Sequence, residues 1–179
     1  NTFVDGQTAS AAEVNQNFSA VVNGVNAIVR KDDTLFNTAN GYEALLNNTT
    51  GSKNTASGYQ ALFNNTGDYN TASGVSALNN NTTGSQNTAS GVQALLSNTT
   101  GDYNTASGVS ALESNIDGAF NTASGFSALE GSTNGKYNTA NGYKALFNNR
   151  TGDNNTAFGS GADVTTGAVT NATAIGYNA

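Results

Sequence analysis

Small apolar and polar positions recur along this chain with a fixed period, and the repeat dominates the sequence. The tripeptide Asn-Thr-Ala opens eight copies at spacings of 17 residues, with one spacing of 16, at Asn37, Asn54, Asn70, Asn87, Asn104, Asn121, Asn138 and Asn155. The shorter copy reads Asn65-Thr66-Gly67 where other copies read Asn-Thr-Thr-Gly, so it lacks one turn residue. A ninth, divergent copy begins at Ala172.

Each copy predicts one coil of an all-β, parallel β-roll, a form of β-solenoid. It reads Asn-Thr-Ala-Ser-Gly, then Tyr, Val or Phe, a variable residue, Ala-Leu, and a polar turn that ends in Gly. We interpret this as two short strands and two turns. Strand alternation places Asn and Ala on one side and Thr and Ser on the other. We expect the Ala and Leu positions to line a narrow interior and the Asn positions to stack as an amide ladder. Residues 34–179 are thus predicted to form about nine coils of 17 residues, roughly 43 Å long at about 4.8 Å per coil.

Two series of glycines mark the corners of the predicted coil. One follows the strand, as at Gly58, and the other ends the polar turn, as at Gly101. A glycine that recurs at one repeat position indicates a positive φ or a close approach of backbone.

The first 33 residues follow a different pattern, which predicts a short N-terminal coiled-coil helix. Ser10-Ala11-Ala12-Glu13 is a capping box, a signature of a helix start. The apolar residues after it follow a 4-3-4-3 spacing, and β-branched residues at the d positions favour three or four strands over two. We expect this segment to oligomerise through Val14, Phe18, Val21, Val25 and Ile28.

Composition excludes several classes of function. The net charge is −6 and no basic cluster exceeds Arg30-Lys31, so we expect no nucleic-acid partner. No stretch approaches the ~20 apolar residues of a membrane-spanning helix. The chain contains no His and no Cys, so the usual general base, thiol nucleophile and zinc ligands are missing. We predict a non-enzymatic protein without cofactor or metal.

The carboxylates offer two further candidate sites, and neither is favoured. Glu113 and Glu130 occupy one repeat position in adjacent coils, about 5 Å apart, which is near the separation in a retaining glycosidase. A solvated surface pair is the favoured interpretation, since nothing predicts a cleft. Asp68, Asp102 and Asp153 are separated by two and three coils, about 10 and 14 Å, too far apart to share one calcium ion.

Aromatic residues form two columns that are candidates for a surface binding stripe. As a stripe they would contact sugars, proteins or surfaces, but stacking within the columns or burial between chains is favoured. One column contains Tyr42, Tyr59, Phe126, Tyr143 and Tyr177, and the other contains Phe36, Tyr69, Tyr103, Phe120 and Tyr137.

Threonine and asparagine columns raise two more questions of function. The threonine that opens each strand, as at Thr88, forms a column suited to an ice-binding face, although a ladder that satisfies its own hydroxyls is favoured. Asn-X-Ser/Thr triplets would be glycosylation acceptors only in a host that glycosylates them. Examples begin at Asn47, Asn48, Asn64, Asn81 and Asn98.

Two segments carry a resemblance to a known family. Ala172-Thr173-Ala174-Ile175-Gly176-Tyr177-Asn178-Ala179 resembles the head repeat of YadA-like trimeric autotransporter adhesins, and Asn54–Leu62 resembles its longer, Asn/Thr-rich variant. The resemblance implies a left-handed parallel β-roll, three chains side by side, and adhesion to host matrix or other cells. Similar repeats occur in phage tail fibres and other secreted bacterial filaments. The repeat of 17 residues is longer than the compact head form, so one turn should be enlarged.

We therefore expect a non-catalytic, extracellular adhesive or fibre module at a bacterial surface or on a virion fibre. Its expected partners are its own copies, as a homotrimer or a filament, and a host matrix protein or glycan. One alternative is a structural subunit of an extracellular filament or phage tail fibre, since uncapped solenoid edges invite end-to-end stacking. An ice-binding solenoid is a distant third.

Overall fold

The computed structural model describes residues 30–32, 35–164 and 167–179, which form a β-solenoid. Ten short strands make one sheet in chain order, and no helix occurs in these described ranges. Strand β1 pairs with β2 antiparallel, and β2 to β10 are all parallel. The strands are β1 Arg30–Asp32, β2 Asn37–Asn40, β3 Thr55–Ser57, β4 Thr71–Ser73, β5 Thr88–Ser90, β6 Thr105–Ser107, β7 Thr122–Ser124, β8 Thr139–Asn141, β9 Thr156–Phe158 and β10 Thr173–Ile175.

The register of the coils follows the repeat without a slip, so the predicted parallel β-roll is confirmed. Thr88 lies beside Thr105, and Ala89 lies beside Ala106, in neighbouring strands. The 16-residue coil keeps this register, because Thr55 still pairs with Thr71. The missing residue is therefore absorbed in a turn. The nine parallel strands enclose about eight turns of the solenoid.

Side-chain size and alternation explain the interior. The strand alanines and the Ala-Leu pairs are almost completely buried, as at Ala106, Ala111 and Leu112, each 0% exposed. The interior is too narrow for larger strand residues, and stacking identical small side chains fills it continuously. A chain with few bulky apolar residues can bury a core in this way because each repeat packs on its neighbours.

The second strand that we predicted in each coil is absent, and this prediction was wrong. The Ala-Leu segment is a series of turns, in which Gln60 has φ 53° and Leu62 has φ 51°. A strand would place Ala61 and Leu62 on opposite faces, whereas both are fully buried. The left-handed residues turn the chain so that both side chains point inward, and the peptide Leu62 N–H donates to Ala77 O in the next coil at 3.0 Å.

The corner glycine that follows each strand allows close contact between coils. Gly108 has φ +136°, and a Cβ atom there would lie 2.4 Å from the carbonyl oxygen of Gly125. Only glycine meets both conditions without strain. The second series has ordinary φ values but equally close backbone, since a Cβ at Gly101 would lie 2.3 Å from Gly118 O.

Two columns of buried asparagines link the coils. In the strand column, Asn104 N donates to Asn87 Oδ1 at 2.9 Å, and Asn104 Nδ2 donates to Gly118 O at 2.8 Å. The predicted amide ladder is present here, but mainly as side-chain to backbone bonds. A second column, which the sequence analysis did not single out, is a true side-chain ladder, with Asn98 Nδ2 donating to Asn81 Oδ1 at 2.6 Å.

One coil interrupts the second ladder. Ser132 stands where neighbouring coils carry Asn115 and Asn149. Among the described residues, Asn115 Oδ1 and Ser132 Oγ are buried side-chain oxygens without a hydrogen-bond partner. A serine is too short to continue the ladder, so the interruption leaves an acceptor unpaired.

Strand β1 covers the sheet edge at the first coil. Arg30 pairs with Ala39, and Asp32 pairs with Asn37, in antiparallel register. The edge of β2 that faces away from β3 is therefore occupied. The predicted helix, with its seam from Val14 to Ile28, lies outside the described residues, so the coiled coil remains a prediction.

Candidate binding face

The outward side of the sheet is regular, and we call it the strand face. It consists of the threonine that opens each strand, the residue two places later, and the residue after the corner glycine, as in Thr88, Ser90 and Val92. All three are exposed. From Thr38 to Tyr177 none of these positions carries a charged residue, although the chain has 18 charged side chains. The strand face is thus an uncharged strip on an acidic rod.

The strand-face hydroxyls are free, which corrects the interpretation of a self-satisfied threonine ladder. Within the described part of the chain, the hydroxyls of Thr88 and Ser90 have no hydrogen-bond partner, and the same holds in the coils from β3 to β6. Threonines in the polar turns behave differently. Thr82 Oγ1 donates to Thr99 O at 2.8 Å, and Thr99 Oγ1 donates to Ile116 O at 3.0 Å. The strand-face hydroxyls point outward because strand alternation directs Asn and Ala inward.

The residues that follow the corner glycines form one column of the strand face, here called the face column, which contains two aromatic pairs. Tyr42 and Tyr59 are parallel with ring centroids 5.7 Å apart, and Phe126 and Tyr143 are parallel at 5.6 Å. Between these pairs the column is valine. The predicted stacking is confirmed for these two pairs, and all the rings stay about half exposed. The column in chain order is Tyr42, Tyr59, Val75, Val92, Val109, Phe126, Tyr143, Ser160 and Tyr177.

The residue before each strand asparagine forms a second column, here called the corner column. Tyr103, Phe120 and Tyr137 stack in one run with centroids 4.8 and 5.0 Å apart. Because these parallel rings cover one another, the run presents mainly ring edges. Among the described residues no other ring stacks on Tyr69, and Lys53 Nζ lies 4.6 Å from its centroid.

Two shifted pKa values accompany the aromatic columns. Lys53 Nζ donates to the Tyr69 hydroxyl at 2.5 Å, and this hydrogen bond raises the pKa of Lys53. The negative charge of Glu43 raises the pKa of Tyr42. Both shifts keep the residues in the forms they already have at neutral pH, so neither creates a catalytic acid or base.

Three aspartate carboxylates accept hydrogen bonds from backbone N–H groups. Asp102 Oδ1 accepts from the Ser85 N–H at 2.7 Å, and Asp68 Oδ1 accepts from the Ser52 N–H at 2.7 Å. Asp153 does the same for the N–H of Lys136 in the preceding coil. Each aspartate therefore links two coils. No group of three His, Cys, Asp or Glu suited to a metal ion occurs in the described residues.

Glu113 and Glu130 occupy the same turn position of adjacent coils and are half-buried. The backbone carbonyl of each accepts a hydrogen bond from the preceding coil: Ser97 N donates to Glu113 O at 2.9 Å, and Ser114 N donates to Glu130 O at 3.1 Å. This places them in the coil-to-coil ladder of a solenoid wall.

The asparagines of the glycosylation triplets differ in their exposure to solvent. Asn81 and Asn98 are fully buried in the second asparagine ladder, so the folded chain does not offer them to a transferase. Asn47 remains exposed, and its Nδ2 donates to Asn64 Oδ1 at 2.9 Å.

The predicted site residues therefore divide into three groups. The stripe residues Tyr42, Tyr59, Phe126 and Tyr143 lie on the strand face as two separate stacked pairs, and Tyr69, Tyr103 and Tyr137 lie along the corner column. The oligomerisation seam lies outside the described residues. The free hydroxyls are the feature that the sequence analysis missed, although the in-register Thr and Ser positions were visible in the repeat.

Comparisons with known proteins add no relative: no protein-family model, curated protein or solved structure matches this chain. Across residues 30–32, 35–164 and 167–179, no helix has the length and apolar character needed to cross a membrane.

Proposed function

We propose that this chain is a non-catalytic adhesive module that acts outside the cell and binds through its strand face. The observation that supports this most is the uncharged strip itself, with its free hydroxyls and half-exposed Val, Tyr and Phe side chains. Contiguous exposed apolar surface is typical of an interaction site, and the half-exposed valines and rings of the face column form such a surface from Tyr42 to Tyr143. The rod holds the strip rigid because every coil is bonded to the next.

The resemblance to adhesin head repeats supports the same proposal and adds a homotrimer. Three copies held by the predicted seam would present three strand faces and bind a surface with higher avidity than one copy. Localisation at a bacterial surface or on a virion fibre belongs to this proposal.

Adhesion of coated beads tests the function. Beads carrying the full chain are applied to films of extracellular matrix, to mucin and to bacterial cells, beside beads coated with albumin. We expect retention above albumin on at least one of these surfaces. Retention equal to albumin on every surface overturns the proposal.

Light scattering tests the trimer separately. At micromolar concentration we expect the mass of three chains of 18.1 kDa each. A single-chain mass overturns the trimer but leaves adhesion by the strand face to be decided by the beads.

The filament subunit is the alternative function. Its support is that the two edge strands of the sheet, β1 and β10, each have a neighbour on one side only, and an open edge can recruit another strand. We place the adhesive module first because the strand face runs along the whole sheet, whereas stacking would use its ends alone. Long uniform filaments in negative-stain images would reverse this order.

A further inference from the structure

Three consecutive coils in the middle of the strand face have the same outward residues, and we call them the valine block. Each reads Thr-Ala-Ser-Gly-Val and directs Thr, Ser and Val outward. The nine outward side chains are all exposed and lie in a grid of three by three, because the three strands pair in register. The grid consists of Thr71, Ser73, Val75, Thr88, Ser90, Val92, Thr105, Ser107 and Val109.

Aromatic rings stand at both ends of the valine block. Tyr59 precedes Val75 in the face column, and Phe126 follows Val109. Each ring turns one face to its stacking partner, Tyr42 or Tyr143. The other side of each ring adjoins the block, beside Val75 or Val109, whose side chains are smaller than a ring. Four coil steps separate the two rings, about 19 Å.

The chemistry of the valine block selects an uncharged ligand with both hydroxyl and C–H surfaces. Its Thr and Ser hydroxyls both donate and accept, and they have no partner among the described residues. The methyl groups and the two ring faces offer apolar contact. No charged residue lies on the grid to hold an ion or a phosphate.

Two other ligand classes fit less well. An extended peptide would need a free strand edge, but the backbone groups of β4, β5 and β6 already pair with neighbouring coils. An ice surface is flat and extended, and it would have to clear the rings of Tyr59 and Phe126 to reach the threonines. A short ligand fits between these rings.

We propose that the valine block is a binding site for a neutral oligosaccharide. Sugar hydroxyls bond to the Thr and Ser hydroxyls, and sugar C–H groups pack on the valines and on the rings of Tyr59 and Phe126. The proposal rests on the proposed adhesive function and names the ligand class of the same face.

Isothermal titration of the full chain with cellotetraose, maltotetraose and tetra-N-acetylchitotetraose tests the site. We expect saturable binding of at least one of the three. The variant Val92→Tyr should weaken that binding at least tenfold, because its ring divides the block. The variant should still fold, since Tyr59 and Tyr143 occupy the same position in other coils.

The matched control is Gln86→Tyr, which adds the same ring in the corner column, where Tyr69 and Tyr103 already stand. It should bind the sugar as the parent does. Equal affinity of Val92→Tyr and the parent overturns the site. Absence of binding by the parent to all three sugars, with beads that still adhere, overturns the oligosaccharide and leaves the adhesive function standing.

Discussion

Ser132 interrupts the second column of buried asparagines, in which side chains of neighbouring coils are linked by hydrogen bonds. Asn115 Oδ1 is left buried without a partner among the described residues. The substitution Ser132→Asn should restore the ladder and raise the free energy of unfolding by about 1 kcal/mol, the usual net value of one hydrogen bond. Thermal melts measure the change.

The control for this prediction is Ser114→Asn, in the polar turn where other coils carry Asn64 and Asn148. Its melting temperature should match that of the parent. A melting temperature of Ser132→Asn at or below the parent value would show that the gap in the ladder is already satisfied in solution.

Ala106 tests how tightly the interior is packed. It is 0% exposed and lies between Ala89 and Ala123 in the neighbouring coils. Ala106→Leu should cost at least about 1–3 kcal/mol, since overpacking cannot relax without separating coils. Ser110→Gln adds as many side-chain heavy atoms at a position where other coils carry Gln60 and Gln93, and it should change stability by less than about 0.5 kcal/mol. Equal thermal melts for both variants would contradict the assignment of the interior.

The inward and outward sides of each strand could be predicted from single residues, but the backbone of the Ala-Leu segment could not. Alternation in Asn54-Thr55-Ala56-Ser57 follows from strand geometry alone. Nothing in the sequence marks Leu62 as left-handed, because leucine has no preference for that conformation. The neighbouring coils impose it by hydrogen bonding and by burying both Ala61 and Leu62.

At the scale of one coil, the strand fixes the register and the polar turn does not. The natural 16-residue coil shows this, since Thr55 and Thr71 remain paired. Deleting Thr100, the equivalent turn residue of another coil, should therefore cost less than about 1 kcal/mol, because loop length has a weak effect on stability. Deleting Ser90 shortens strand β5 and should unfold the neighbouring coils, because a one-residue slip exchanges the two faces.

Amide hydrogen exchange of β4 to β6 distinguishes the two deletions. Protection should persist without Thr100 and disappear without Ser90. Loss of protection in both would mean that the turn also sets the register.

The whole molecule is a stack in which each coil depends mainly on its neighbours. The fold class and the parallel strands, one for each copy of the repeat, could be predicted because the repeat is nearly exact. Strand β1 could not be predicted, because Arg30-Lys31-Asp32 lies outside the repeat and has no apolar pattern of its own. It also could not be predicted that the strand-face hydroxyls have no partner in the protein, since the sequence does not show whether Thr88 bonds to its neighbours or to solvent.

Binding through the strand face is the central claim, and a scan of one charge around a single coil tests it most directly. Thr88→Glu places the charge on the strand face, whereas Gln93→Glu and Thr100→Glu place it on exposed positions elsewhere in the same coil. All three variants should melt near the parent temperature. Bead retention should fall severalfold for Thr88→Glu alone, because a glutamate on this face must lose water when a surface covers it. An equal fall for all three variants, or retention by Thr88→Glu at the parent level, would contradict the claim.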